Sequence, residues 1–233
     1  MATWEIQANL TWQYLVLAQL FPKWTNTVPF ILAHLLAPLP LVAAAAIWYY
    51  GSPQFTDVGY RPEQPVPFSH KLHAGELGLD CRYCHATVEN SQEANIPPTQ
   101  TCMNCHKHVK PNSLKLEPVR TSSETGKPIE WVRVHKLPEY AYFDHSVHLH
   151  AGVGCASCHG RVDQMEVVTQ DQPLSMSWCL DCHRNPNAHI RDLSKTKVTQ
   201  MDWEPSRDQF ADAQKMIAEK HLEPPTDCAA CHR

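Results

Sequence analysis

The apolar positions of this chain are concentrated in one run near its start. From residue 28 to residue 48 the sequence VPFILAHLLAPLPLVAAAAIW carries no formally charged residue over 21 positions. A helix of that length rises roughly 30 Å, which is the thickness of the hydrocarbon core of a bilayer. Trp48, Tyr49 and Tyr50 follow with the aromatic side chains typical of a membrane interface. The pattern predicts a transmembrane helix over 28–50, kinked where Pro38 and Pro40 interrupt it.

A cleaved signal peptide is the alternative interpretation of this run, because the small residues 43–46 could precede a cleavage site. Signal peptides begin with a short basic segment, whereas 27 residues precede this run and Lys23 is the one lysine among them. We therefore expect an uncleaved anchor. The apolar and aromatic side chains within 1–27 predict an interfacial amphipathic helix or a surface that docks on a partner subunit.

Beyond the anchor, the helical pattern is clearest near the end of the chain. A stripe that includes Phe210, Ala213 and Ile217 predicts a helix over 207–222, capped by Ser206. Elsewhere 19 prolines and only 8 glycines predict irregular connections, such as 117–128 at the surface. The charged fraction of 19% excludes charge-driven disorder, and a net charge of −4 without a basic run excludes nucleic acid as a partner.

All ten cysteines belong to five copies of Cys-x-x-Cys-His, which begin at residues 81, 102, 155, 179 and 228. This is the attachment signature of c-type haem, in which two thiols form thioethers and the adjacent imidazole binds the iron. A disulfide framework or a zinc ribbon would not place histidine after every second cysteine. The sequence predicts five covalent haem c groups. The thioether positions are Cys81, Cys84, Cys102, Cys105, Cys155, Cys158, Cys179, Cys182, Cys228 and Cys231, and the proximal ligands are His85, His106, His159, His183 and His232.

The motifs form an internal repeat of two pairs and a terminal single motif. A Phe-x-His-x-x-His segment precedes each pair, beginning at Phe68 and at Phe143. The predicted haem domain, 51–233, thus contains a first unit (68–108), a second unit (143–189) and a terminal motif (207–233). Roughly 37 residues per haem are too few to enclose each macrocycle in an apolar core. We expect a mostly irregular fold with short α-helices, resembling class III cytochromes, in which the haems form the core.

Ten further histidines could supply the second axial ligand of each iron. His70 and His73, like His145 and His148, have the i, i+3 spacing of one helical face, so each pair can serve two neighbouring haems. His135 and His189 are the next candidates for distal ligands. We expect His108, His150 and His221 to lie at the surface. Met165 and Met176 could be thioether ligands, but ordinary packing in the core is favoured for both.

The order of these motifs resembles a known family. The anchor is followed by Phe-Ser-His-x-x-His at 68–73, Trp-Val-Arg-Val-His at 131–135, Phe-Asp-His-Ser at 143–146 and Gly-Arg-Val-Asp-Gln-Met at 160–165. This arrangement resembles the pentahaem cytochrome subunit of alternative complex III over most of 65–233. Each half also resembles cytochromes c3 and c7, whose Phe-x-His-x-x-His histidines are distal ligands. The resemblance implies that role for His70, His73, His145 and His148.

The resemblance implies an electron-relay subunit that is not a catalyst alone. In such complexes menaquinol or a related quinol is oxidised at large integral subunits. Electrons then pass through an iron–sulfur subunit and the haem chain to a soluble or monohaem cytochrome c, or to a haem–copper oxidase. Because c-type haem is attached outside the plasma membrane, we expect a single-pass protein of the inner membrane whose haem domain faces the periplasm.

A stand-alone, membrane-anchored multihaem quinol dehydrogenase that feeds a periplasmic reductase is the alternative function. Proteins of that kind begin their haem motifs closer to the anchor, whereas more than thirty residues separate Trp48 from Cys81 here. A pentahaem nitrite reductase would carry a lysine in place of one final histidine, and no motif does. The relay interpretation is therefore preferred.

Overall fold

The computed structural model describes residues 21–232, and the chain divides into two units, 1–52 and 53–233. The structure is helix-rich, and residues 21–232 contain only two isolated β-bridges and no strand. Both observations agree with the predicted fold of short helices joined by irregular connections.

The first unit is one apolar helical stretch, Lys23–Tyr50, whose 28 residues are long and apolar enough to cross a membrane. It comprises a 3-10 turn Lys23–Thr27, helix α1 (Val28–Leu36) and helix α2 (Pro38–Tyr50). Helices α1 and α2 meet at Ala37, immediately before Pro38, as expected where a proline removes a backbone donor. Apolar side chains are exposed all round this stretch. The predicted interfacial or docking role of 1–27 falls mainly on residues 1–20, outside the described residues.

The second unit contains short helices, most of which carry a Cys-x-x-Cys-His motif or a histidine segment. In chain order they are α3 (Pro53–Thr56), a π-helix (Lys71–Glu76), α4 (Cys81–Cys84), α5 (Thr99–His106), α6 (Glu117–Thr125), α7 (His145–His150), α8 (Ala156–His159), α9 (Met176–Arg184), α10 (Gln209–Lys220) and α11 (Cys228–Cys231). Single 3-10 turns lie at Leu114–Leu116, Val162–Gln164 and Pro186–Ala188.

Two local predictions need correction. Residues 117–128 were expected to be an irregular surface connection, but Glu117–Thr125 forms α6, which buries Val119 and ends at Gly126 with φ 71°. Proline at the start of a helix is compatible with helix formation, since the first turn needs no N–H from it. Helix α10 was predicted correctly within two residues at each end, but it buries Ala213 and Met216 while Phe210 is exposed.

The apolar core of the polypeptide is small. Only eight apolar side chains are buried among the described residues, and six of them form two small clusters around Leu149 and around Met216. For a unit of this size, so little apolar burial cannot by itself offset the entropy of ordering the chain. The arrangement matches a fold in which bound groups supply most of the core.

Candidate haem sites

Each of the five motifs lies on or beside a short helix that brings its two thiols to one side. Positions i and i+3 are neighbours on a helical face, so the spacing of the cysteines in α4 and α11 places both Sγ atoms on that face. Asp80 caps α4 by accepting a hydrogen bond from the Arg82 N–H at 2.9 Å, and Asp227 caps α11 in the same way. These caps are local signals that fix where the motif helix begins.

Four of the five proximal histidines are oriented by a backbone carbonyl. The Nδ1 atom of His85 lies 2.6 Å from the Asn95 carbonyl oxygen, that of His106 lies 3.0 Å from Val109, that of His183 lies 2.6 Å from Pro225 and that of His232 lies 3.2 Å from Tyr140. A proton on Nδ1 that is donated to a carbonyl leaves the Nε2 lone pair for a metal ion. The ring orientation therefore fits axial ligation of iron.

The alternative uses of the cysteines do not fit this geometry. All ten cysteines lie within the described residues, and none forms a disulfide. Among residues 21–232, no three side chains of His, Cys, Asp or Glu converge as a structural zinc site requires. The thiols are placed in pairs, as attachment to haem vinyl groups requires.

The two histidine segments share one aromatic arrangement. The Phe68 ring meets the His70 ring edge-on at 4.8 Å and stacks on the His73 ring at 4.3 Å. The Phe143 ring meets the His145 ring edge-on at 4.8 Å and stacks on the His148 ring at 4.5 Å. The phenylalanine thus holds both imidazoles of its segment in place. The sequence contained this repeated phenylalanine, but its role as a packing partner follows only from the structure.

Three distal candidates lie opposite proximal histidines at similar distances. The ring centroids of His73 and His106 are 6.2 Å apart, those of His148 and His183 are 6.0 Å apart, and those of His145 and His159 are 6.3 Å apart. Two imidazoles that share one metal ion through bonds of about 2 Å have centroids roughly 6 Å apart. The residues present therefore fit a haem iron held between two histidines at the second, third and fourth motifs.

Burial keeps several of these imidazoles neutral, which is the form that binds metals. Burial, followed by the neighbouring His85, lowers the pKa of His70 to about 4. Burial, followed by His135, lowers the pKa of His159 to about 3. The pKa of His148 is also lowered by burial. The lone pair that would bind iron is thus available over the whole physiological pH range.

The remaining candidates are placed less regularly. His135 is half-buried, and its Nε2 lies 3.3 Å from His159 Nδ1, with ring centroids 4.3 Å apart, too close to share one metal ion with it. His70 is half-buried with no hydrogen-bond partner at Nδ1. His189 is half-buried, and within 21–232 it faces no proximal ring.

His108, His150 and His221 are exposed, as expected. Met165 is half-buried, whereas Met176 is 65% exposed, so core packing was a wrong prediction for Met176.

Some contributors to the sites have no signature in the sequence. The carbonyl groups of Asn95, Val109, Tyr140 and Pro225 orient imidazoles, and any residue type could supply them. Arg191 is 1% exposed, stacks on Trp203 at 4.5 Å and occupies the space that a side chain on Gly154 would fill. It supports the backbone immediately ahead of Cys155. Only the tertiary structure brings these groups together.

Paired thiols, carbonyl-oriented proximal imidazoles and opposed distal imidazoles define a multihaem cytochrome c. In agreement, residues 66–124 and 141–233 match the family described as cytochrome c7 and related cytochrome c, and the two matched segments include all five motifs. The chain belongs to this family. Covalently bound haem c and electron transfer are therefore its cofactor and its role, and haem c supplies a one-electron ferric/ferrous couple when bound.

The chain is also similar to a curated protein of Nitratidesulfovibrio vulgaris (strain Hildenborough). That protein is named "Menaquinone reductase, multiheme cytochrome c subunit", and the two are 27% identical over 172 residues, covering 63% of this chain and 79% of the other. The relative is by name one subunit of a menaquinone reductase.

Proposed function

We propose that this chain is the electron-relay subunit of a membrane-bound, quinol-oxidising complex of the alternative complex III type, with five haem c groups. The observation that carries the proposal is the set of three imidazole pairs at 6.0–6.3 Å. An iron with two protein ligands has no open position for a substrate, so such a site passes electrons and does no chemistry on a substrate.

The parts of the chain have different tasks in this proposal. Residues 28–50 anchor the subunit in the inner membrane, and residues 51–233 lie on the periplasmic side. The five proximal histidines hold one side of each iron, and the distal ligands come from the candidates His70, His73, His145, His148, His135 and His189. The carbonyl groups at Nδ1 tune the basicity of the imidazoles, and hence the reduction potentials. Electrons leave for a cytochrome c or a haem–copper oxidase.

Neighbouring subunits supply what this chain lacks. An iron–sulfur subunit delivers electrons, integral subunits hold the quinol, and a monohaem cytochrome c can receive the electrons. The name of the N. vulgaris relative supports a quinone-linked partner. That name describes electron flow towards quinone, so a complex that reduces menaquinone is the second candidate function.

The test is to purify the chain from membranes through a C-terminal tag, with and without its partner subunits. We expect a haem stain, a pyridine haemochromogen titration and an intact mass that together give five haems per chain. The complex should reduce its haems with a menaquinol analogue, whereas the isolated chain should not. Turnover by the isolated chain would support the stand-alone quinol dehydrogenase, and reduction of menaquinone by the pre-reduced complex would support the second candidate.

A further inference from the structure

The five motifs do not follow one another in space as they do along the chain. We propose that the sites are arranged in the order second, first, third, fourth, fifth, so that the second and fifth motifs are the two ends of the electron path. The inference rests on the proposed function, because it takes every motif to hold a haem. The order itself is carried by contacts between the motifs of the polypeptide.

The second motif is next to the first. The Asn104 side-chain amide, inside the second motif, donates a hydrogen bond to the Tyr83 hydroxyl, inside the first motif, at 3.2 Å. The distal candidate His73 precedes the first motif, yet its ring lies 6.2 Å from His106 of the second. The segment that leads into the first motif therefore contributes to the second site, and the two sites are adjacent.

The first motif also touches the third. Cys81 and Cys155 are the first cysteines of these two motifs. A short stretch of backbone joins the same two places: the Cys155 N–H donates to the Val198 carbonyl at 3.1 Å, and the Thr199 hydroxyl donates to the Asp80 carboxylate at 3.3 Å. The first cysteines of the first and third motifs thus lie side by side, which joins the two repeated units.

The fourth motif continues from the third. The His148 ring lies 6.0 Å from the His183 ring, although His148 belongs to the segment that leads into the third motif. The Arg191 N–H, beyond the fourth motif, donates to the Gly152 carbonyl at 2.9 Å, three residues before Cys155. His148 thus faces the fourth motif from a segment ahead of the third, just as His73 faces the second motif from a segment ahead of the first.

The fifth motif is attached to the fourth. His183 Nδ1 lies 2.6 Å from the carbonyl oxygen of Pro225, which precedes Cys228 by three residues. The fifth site therefore extends the second unit at its outer end.

Exposure of the thiols identifies the two ends independently. Of the ten cysteines, only Cys105 in the second motif and Cys228 in the fifth are exposed. The two repeated units meet at their first motifs, so the second motif of each unit points outward. The fifth motif then extends the path beyond the fourth motif. Along this path each site gives up one electron and its neighbour accepts it, with the donor and acceptor subunits at opposite ends.

The order predicts which haem deletion cuts the path. In the full-length holoprotein, Lys107→Cys places a free thiol for a ruthenium photosensitiser beside the second motif, at an exposed position. With a sacrificial electron donor, flash reduction should spread to all haems. After removal of the first haem by C81S/C84S, only the labelled haem should be reduced on the millisecond timescale. Removal of the fifth haem by C228S/C231S is the matched control, and it should leave spreading among the remaining four haems intact.

Rapid spreading in C81S/C84S would overturn the proposed order, because it would show direct transfer from the second site to the third. Should that variant fail to fold, nuclear Overhauser contacts between haem meso protons in the reduced wild-type protein decide the matter. Contacts are expected between the first and third haems, and a contact between the second and third would overturn the order. Fewer than five haems per chain would instead contradict the proposed function, whichever contacts are seen.

Discussion

The two repeated units hold their histidines in the same way but are joined to the rest of the molecule differently. In both units the phenylalanine meets the first imidazole edge-on and stacks on the second, with distances that agree within 0.2 Å. Yet His145 Nδ1 lies 2.8 Å from the Gln92 carbonyl of the first unit, whereas His70 Nδ1 is buried without a hydrogen-bond partner. The ligand segment is specified locally, while its orientation depends on the neighbouring unit.

The helix type differs as well. The first histidine segment continues into the π-helix Lys71–Glu76, and the second forms the α-helix α7. His73 Nδ1 and His148 Nδ1 nevertheless each lie close to the backbone carbonyl four residues earlier, at 2.8 Å from Ser69 and 2.7 Å from Asp144. Two helix types thus present the second histidine in one orientation. The orientation of the second histidine is therefore the same in both units although the helix type differs.

Removing one haem from each unit should show the largest difference in stability between the two units. C155S/C158S and C102S/C105S should each leave four haems per chain by pyridine haemochromogen assay. Because Cys158 is half-buried and Cys105 is exposed, loss at the third motif should lower the thermal midpoint by several degrees more than loss at the second. Equal melting curves by circular dichroism would contradict this difference between interior and outer sites.

Removing one distal ligand from each unit should have equal effects. H73A and H148A should each convert one haem to the high-spin state and allow one carbon monoxide molecule to bind per chain, since the opposing imidazole is lost. H150A is the matched control, because His150 is exposed on the same helix as His148, and its spectrum should be that of the wild type. A low-spin spectrum in H148A would show that another side chain ligates that iron.

An Ala-Gly pair follows each histidine segment, and both glycines approach another backbone closely. A side chain on Gly75 would clash with the Asp163 carbonyl, and a Cβ on Gly152, where φ is 92°, would lie 2.7 Å from the Arg191 carbonyl. G75A and G152A should each lower the free energy of unfolding by roughly 2–3 kcal/mol. Gly78 has a positive φ but open space around it, so G78A should cost only about 1 kcal/mol. Denaturant titrations in which G78A loses as much unfolding free energy as G75A or G152A, or more, would refute this reasoning.

The smallest effect is expected where a surface ion pair joins the first unit to the segment before the second. Arg133 lies 3.1 Å from Glu93, and both side chains are more than 60% exposed. Such pairs contribute about 0.2–1 kcal/mol. R133Q, E93Q and the double variant should give a coupling energy within that range that decreases with added salt. A coupling above it would mean that the pair does more than bridge two surface segments.

Much of the site could be predicted from the sequence because its signals are local. Cys-x-x-Cys-His carries both thioether positions and the proximal ligand in five residues, and Phe-x-His-x-x-His places two further imidazoles on one turn. The apolar run 28–50 and the approximate bounds of α10 were likewise visible as patterns within single segments. Each of these features depends on residue types at fixed spacing.

The remaining features depend on contacts between distant segments. The carbonyl groups of Asn95 and Pro225 act through the backbone, so their residue types carry no signal. The pairing of His73 with the second motif and the contact of Asp80 with Thr199 require the chain to fold back on itself. Helix α6 was missed because proline content suggested a connection, although Pro118 occupies the first turn, where it is tolerated.

The contrast between shielded and accessible thiols constrains how the protein matures. An attachment enzyme must reach both sulfur atoms of a motif, and the Cys158 residue is half-buried in the folded chain. We therefore expect ligation at the third motif to precede closure of the domain. Cys105 and Cys228 are still reachable in the closed domain. Haem attachment can then finish at the second and fifth motifs, after the middle of the molecule has already been assembled.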